Sequence, residues 1–367
     1  MILALLAASP VLAQDGFRFT SPVDITIGRD DGFLAHNQIL TDTILTVRPP
    51  QLSFLHKSPR AGLTVNYQPE IELFNKNRDL NALNHMGTAS FTFRITDRLH
   101  FNAGDDALMT QDPTRSIAGS LTFLPRQRFK QNMAYAAVNY AMTRRDTVSV
   151  RFDNVAAGGR VRNAGTASLA HMFGRKQTVT ARYSLLNSGA QFAGMSYSGQ
   201  LAHNLTAHFS AGLFKDGGES YLLSAQIEKR LRAVRISGGY DRFLSVFGTA
   251  IPGGVPIGNE LMLPIGVSRT RVYQVFSAGV SGRLSNRAGV EVGASATKNN
   301  SATPNRAISN VSGRFKLDYV LMERLKIYTD LQLYNQAFDA FAGGSIDRKR
   351  FMAGMQFDVA AHSNRSY

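Results

Sequence analysis

Apolar and polar residues alternate along most of this chain with a period of two. In TVTARYSLL (178–186), Val179, Ala181, Tyr183 and Leu185 fall on one face and Thr178, Thr180, Arg182 and Ser184 on the other. DTVSVRFD (146–153), TASFTFRIT (88–96) and VSGRFKLDYVL (311–321) repeat the pattern. Only an extended strand turns successive side chains to opposite faces, so these segments are strands with one apolar and one polar side. No amphipathic helix longer than about three turns stands out after residue 14, and no run approaches the roughly 20 apolar residues of a membrane helix. Charged residues make up 18% of the chain, below the roughly one quarter usual for soluble domains.

The alternating segments run to about ten residues, the length that crosses a bilayer when tilted. Short basic connections such as TRRD (143–146), GRKQ (174–177), KRLR (229–232) and LSNR (284–287) alternate with longer polar ones, among them 75–84, 110–130, 156–163, 244–269, 297–307 and 335–349. That asymmetry predicts an all-β fold, a transmembrane antiparallel up-and-down β-barrel of about 18 strands, with 16 as the smaller count. Closure removes the free edges that lipid cannot satisfy. An even count places both termini on the same side, the periplasm of a Gram-negative bacterium, with the long connections outside.

MILALLAASPVLAQDG opens the chain with a short apolar stretch and small residues before Gln14, which predicts a signal peptide over 1–13 and one barrel domain over 14–367. An exported chain does not meet nucleic acid, so the net charge of +15 needs another explanation. There is no Cys, which excludes disulfides and thiolate metal sites. At the other end, RFMAGMQFDV (350–359) carries Gly354, Phe357 and Val359 at a spacing that resembles the C-terminal β-signal of outer-membrane barrels. That resemblance implies recognition by the barrel-assembly machinery. Met352 departs from it at a usually polar position, and a tail, AAHSNRSY, follows.

GRDDGFLAHNQILTDTILTVRPPQLSF and LTVNYQPEIELFNKNRDLNALNH lie within the first 85 residues. They resemble the opening of the β-barrel porin family associated with bacterial exopolysaccharide and exosortase loci. Asp42, Val47, Pro49, Tyr67, Glu70, Phe74, Asn77, Leu80, Asn81, Asn84 and His85 fill the positions that carry the likeness. It covers about the first quarter of the chain and implies a role in exporting an extracellular polysaccharide.

No H-E-x-x-H, P-loop or G-x-S-x-G is present, so the chain reads as a non-enzyme without cofactor or metal. His171 shares the apolar row of Ala167, Leu169 and Phe173; a lipid-face hydrolase base and an isolated interface residue are its two readings. Asn84-His85 is placed in an outer loop, as a packing element or a sugar or metal site. The polar face carries Arg94, Arg151, Arg182, Arg235, Arg314 and Lys316 with Asp153, Glu291 and Asp318. These charges predict a mixed-sign, water-facing lumen. They either pair across strands or orient passing solutes.

Positive charge concentrates in the short connections, at Arg144, Arg145, Arg175, Lys176, Lys229, Arg230 and Arg232. A basic periplasmic rim either anchors to outer-membrane lipid or draws in an anionic polysaccharide. Two long connections, 110–130 and the apolar 244–269, are candidates to narrow the lumen. The chain thus reads as a pore for an extracellular polysaccharide or for small polar or anionic solutes. A non-transporting structural or adhesion scaffold acting through its outer loops is the alternative.

Overall fold

The computed structural model describes residues 16–35, 38–112, 126–157, 160–174, 176–215, 219–244, 271–301, 308–338 and 345–358. The strands are β1 (Gly16–Phe19), β2 (Val23–Ala35), β3 (Gln38–Arg48), β4 (Leu52–Lys57), β5 (Ala61–Phe74), β6 (Ala82–Arg94), β7 (Leu99–Thr110), β8 (Phe129–Ala141), β9 (Asp146–Ala157) and β10 (Arg160–Phe173). They continue as β11 (Gln177–Leu186), β12 (Gln191–Ala202), β13 (Leu205–Lys215), β14 (Glu219–Leu231), β15 (Val234–Leu244), β16 (Arg271–Arg283), β17 (Ala288–Ser301), β18 (Ile308–Met322), β19 (Leu325–Phe338) and β20 (Ser345–Phe357).

Each strand pairs antiparallel with its neighbours in one continuous sheet. β2 pairs with β20 from Val23↔Phe357 to Asp31↔Lys349, which closes the sheet on itself. β1 and β2 form one wall element broken at Ser21-Pro22, and β3 and β4 form another broken at Pro49-Pro50, because proline cannot donate to the ladder. The 20 strands therefore make an 18-stave closed barrel, as the alternation predicts.

The alternation also fixes the faces. Val150, Phe152, Tyr183, Leu185, Phe315 and Leu317 are exposed on the outside, as are their equivalents around the barrel. Their neighbours in sequence turn inward. The short connections gather at one end, together with both described chain ends. At the other end the excess length is concentrated in two connections, 111–128 and 245–270; the one after β9 has only residues 158–159. The alternation predicts longer connections at 156–163, 297–307 and 335–349. There the strands run further, because pairing between neighbours continues after the apolar pattern stops.

At the closing seam the backbones meet without room for side chains. A Cβ on Gly28 would lie 2.1 Å from the Phe351 carbonyl oxygen. One on Gly354 would lie 2.6 Å from the ring of Tyr328, which crosses above it.

Candidate functional site

The residues that carry the family likeness converge at the end with the long connections. Asp42 on β3 accepts backbone N–H bonds from Lys76 (3.0 Å) and Asn77 (2.7 Å), and a third from the Asn77 amide (2.8 Å). Asn81 Oδ1 accepts the Phe74 N–H at 2.7 Å. These bonds pin the connection between β5 and β6, whose 3-10 turn Arg78–Leu80 tucks Leu80 against Phe33, Ala35, Ile44 and Phe74. Asn84 donates to Glu70 and Glu72, each at 3.2 Å, and its carbonyl accepts the Gln111 N–H at 3.1 Å.

Asn84 and His85 are thus strand residues of β6, not loop residues. Asn84 is buried on the inner face, and the Nδ1 of His85 is bonded to the Tyr67 hydroxyl at 2.7 Å. Asn84 is bonded to carboxylates and a backbone N–H, a packing role and not a ligand site.

Arg126 completes this knot from the β7–β8 connection. Its guanidinium lies 2.9 Å from Glu72 and 3.7 Å from Asp112, and stacks 4.7 Å above the Phe74 ring. Its side chain is 6% exposed and that of Glu72 is 0% exposed. Arg126 also bridges to Ala35 on β2, and Gln127 N–H reaches the Gln111 carbonyl at 3.0 Å. The described ends of the 110–130 connection therefore turn inward over β5 and β2. The 244–269 stretch lies outside the described residues apart from Leu244.

Along the inner wall most charges are matched. Arg151 pairs with Asp153 at 2.8 Å and lies over the Tyr135 ring at 4.1 Å. Arg314 pairs with Asp330 (2.8 Å) and Glu291 (3.5 Å), and Lys326 with Asp318 (2.9 Å). Arg235 is 3.4 Å from Glu228, Arg94 is 3.8 Å from Asp97, and Lys316 faces the Tyr328 ring at 5.0 Å. Arg182 sits in a shallow recess with Thr180, Phe192, Gly194 and Ser196.

The seam adds a network with no motif to announce it. Arg348 holds Asp30 through two bonds of 2.7 and 2.5 Å, and Tyr328 donates to Asp24 at 2.7 Å. Arg48 pairs with Glu70 at 2.5 Å. Parity against the exposed Phe351 was the available signal for Arg348; its partner, 318 residues away, had none.

The inner face is not wholly polar. Val155, Ala164, Leu186, Ala190, Phe192, Phe214 and Leu222 form a buried apolar cluster toward the long-connection end.

At the opposite rim, Arg144 and Arg145 lie in the β8–β9 turn and Lys176 in the β10–β11 turn. Lys229 and Arg230 are the last residues but two and but one of β14, not turn residues. The β14–β15 hairpin is only Arg232-Ala233, and Arg232 takes φ = 38°, left-handed. Glu228 accepts from Arg230 at 2.8 Å. Arg175 and Val359 lie outside the described residues. Gly354 and Phe357 are on β20, with Phe357 paired to Val23 and Leu325. His171 lies 2.7 Å from Asp146 and meets Phe173 edge-on at 4.4 Å.

The barrel is similar to solved structures with very different sequences. Pseudomonas aeruginosa OccK11 (OpdR) superposes with a TM-score of 0.56 at 12% identity, over 95% of this chain and 99% of that one. P. aeruginosa OpdQ gives 0.55 at 10%, over 94% and 99%. Acinetobacter baumannii OccAB4 gives 0.53 at 9%, over 95% and 99%. These likenesses show the fold. No family model matches the sequence, and none of the curated proteins does.

Proposed function

We propose that this chain is an outer-membrane pore whose polar, mixed-charge lumen passes small polar solutes. The observation that carries the reading is the closed 18-stave wall, apolar outside and ion-paired inside. An apolar exterior suits lipid, and an inner wall carrying partly exposed charged pairs suits water. The closed-barrel fold shared with the Occ and Opd chains supports it. In this reading the short turns and both termini face the periplasm and residues 1–13 are a removed signal peptide. Gly354, Phe357 and Val359 serve the assembly machinery, and no catalytic step is assigned.

The likeness of the first quarter to the exopolysaccharide-associated porins suggests a saccharide polymer as the finer substrate. Of the two readings of the basic rim, lipid anchoring has a specific observation behind it. Lys229 is paired with the outward Ile236, where an ammonium reaches anionic phospholipid headgroups.

Planar-bilayer recordings with sized solutes test the function. Stepwise channels that are partly blocked by oligosaccharides are expected. A folded, inserted protein that passes no current sinks the pore and leaves the scaffold reading.

A further inference from the structure

The inner wall neutralises almost every carboxylate it carries. Asp30, Glu70, Glu72, Asp153, Asp318 and Asp330 each have an Arg or Lys nitrogen within 3 Å. Asp42 is saturated instead by backbone N–H groups. Among the described residues, two inward carboxylates have no cation. Asp106 on β7 is paired in register with Met133, and Asp241 on β15 accepts uncharged side-chain bonds, from Ser224 at 2.5 Å and from Gln226. Both side chains are partly exposed.

Their positions match. Asp106 lies seven residues along β7 from Leu99, and Asp241 seven along β15 from Val234, both counted from the short-turn end. At a rise of about 3.3 Å and a tilt near 40°, that is about 18 Å up the barrel. The two strands are eight staves apart in a ring of 18, close to opposite walls.

The other inward residues at that height are mostly uncharged. Ser184, Gly212, Ser295 and Gln332 are each seven residues from the start of their strands. Asp153 is held by Arg151. On a third wall Asp30 faces two arginines, Arg348 and Arg350, whose side chains are only 9% and 19% exposed. Arg314, in register with Gln332, is taken up by Asp330 and Glu291, and Lys316 lies over the Tyr328 ring. Among the described residues at this level, the two opposed carboxylates are the ones left without a cation.

We propose that Asp106 and Asp241 form a girdle that draws the cationic group of a solute, an ammonium or a guanidinium, into the lumen. An unpaired charge on a low-dielectric wall focuses its field across the water it faces and raises the local concentration of the opposite sign. Carboxylates already bound to arginine cancel at this range. On nearly opposite walls of an 18-stave ring the two are too far apart for one small solute to bridge, so each acts on a cationic group by itself. The rim lies at the short-turn end of the barrel, about 18 Å away along its axis.

This inference rests on the pore reading, and reversal potentials separate the two. The full chain is recorded in a planar bilayer under a KCl gradient, then with 1,4-diaminobutane added. Wild type is expected to prefer K⁺ over Cl⁻ several-fold and to show diamine block. Asp106→Asn with Asp241→Asn is expected to bring the preference near unity and weaken the block about tenfold, each single change falling between. Asn keeps the shape, and heat-modified gel mobility verifies that the variants are folded. Open channels with anion preference, or with selectivity and block unchanged in the double variant, overturn the girdle and leave the pore standing. No current from wild type overturns both.

Discussion

Arg126 offers the sharpest test of how the long-connection end is held. Replacing it with Met keeps an apolar stem near the Phe33 and Phe74 rings but removes the charge facing Glu72 and Asp112. Breaking a buried ion pair from one side costs about 3–5 kcal/mol, because the partner is left charged and dry. Glu72 keeps the Asn84 amide at 3.2 Å, which places the expected loss near the lower bound, about 3 kcal/mol. Removing the Glu72 charge as well takes away the nearer stranded carboxylate and leaves only Asp112, 3.7 Å from the guanidinium, without it. R126M/E72Q is therefore expected to be more stable than R126M alone, with a coupling of about 2 kcal/mol. The assay is urea unfolding into and out of lipid vesicles, followed by tyrosine fluorescence because the chain has no Trp. If R126M costs less than about 0.5 kcal/mol, or the two changes simply add, the buried pair does not anchor this end and the reasoning fails.

Three further outcomes follow from other parts of the barrel. G354A places a methyl within 2.6 Å of the Tyr328 ring, and overpacking of this kind costs about 1–3 kcal/mol. A lower heat-modification temperature on gels checks it, and restoration by Y328L would show that the ring is the obstacle. Changing Arg144, Arg145, Lys176, Lys229, Arg230 and Arg232 to Gln is expected to weaken binding to anionic phospholipid and leave ion selectivity unchanged. An altered reversal potential in that variant would favour the polymer-attracting rim instead. Because the chain has no Cys, a single Cys in place of Arg145 reports orientation: a membrane-impermeant maleimide is expected to label it only after the outer membrane is opened.

The strands were legible because lipid outside and water inside impose a period of two, and Pro49-Pro50 marks the break between β3 and β4. What alternation does not encode is where pairing stops. β9 and β10 continue to Ala157 and Arg160 because neighbouring backbones keep bonding above the apolar band. The β14–β15 turn was misread for a similar reason. A two-residue hairpin normally advertises itself with Gly or Asn, but here Arg232 takes the left-handed position. The polar residues of the first quarter stood out as a pattern, yet their purpose lies in contacts such as Asp42 with Asn77, which only the folded wall brings together. Arg126 carried no signal at all. A lone arginine in a loop looks the same whether it meets water or a buried glutamate.

The seam between β2 and β20 has a consequence for how such a barrel is made. Asp24 and Asp30 sit on the first long strand and are buried in the finished wall. The Arg348 that neutralises Asp30, and the Gln356 amide that reaches Asp24, belong to the last strand. A chain that stops short of β20 keeps Asp30 as an unmatched charge on an open edge, so the same residues that seal the cylinder also verify that its final segment has arrived.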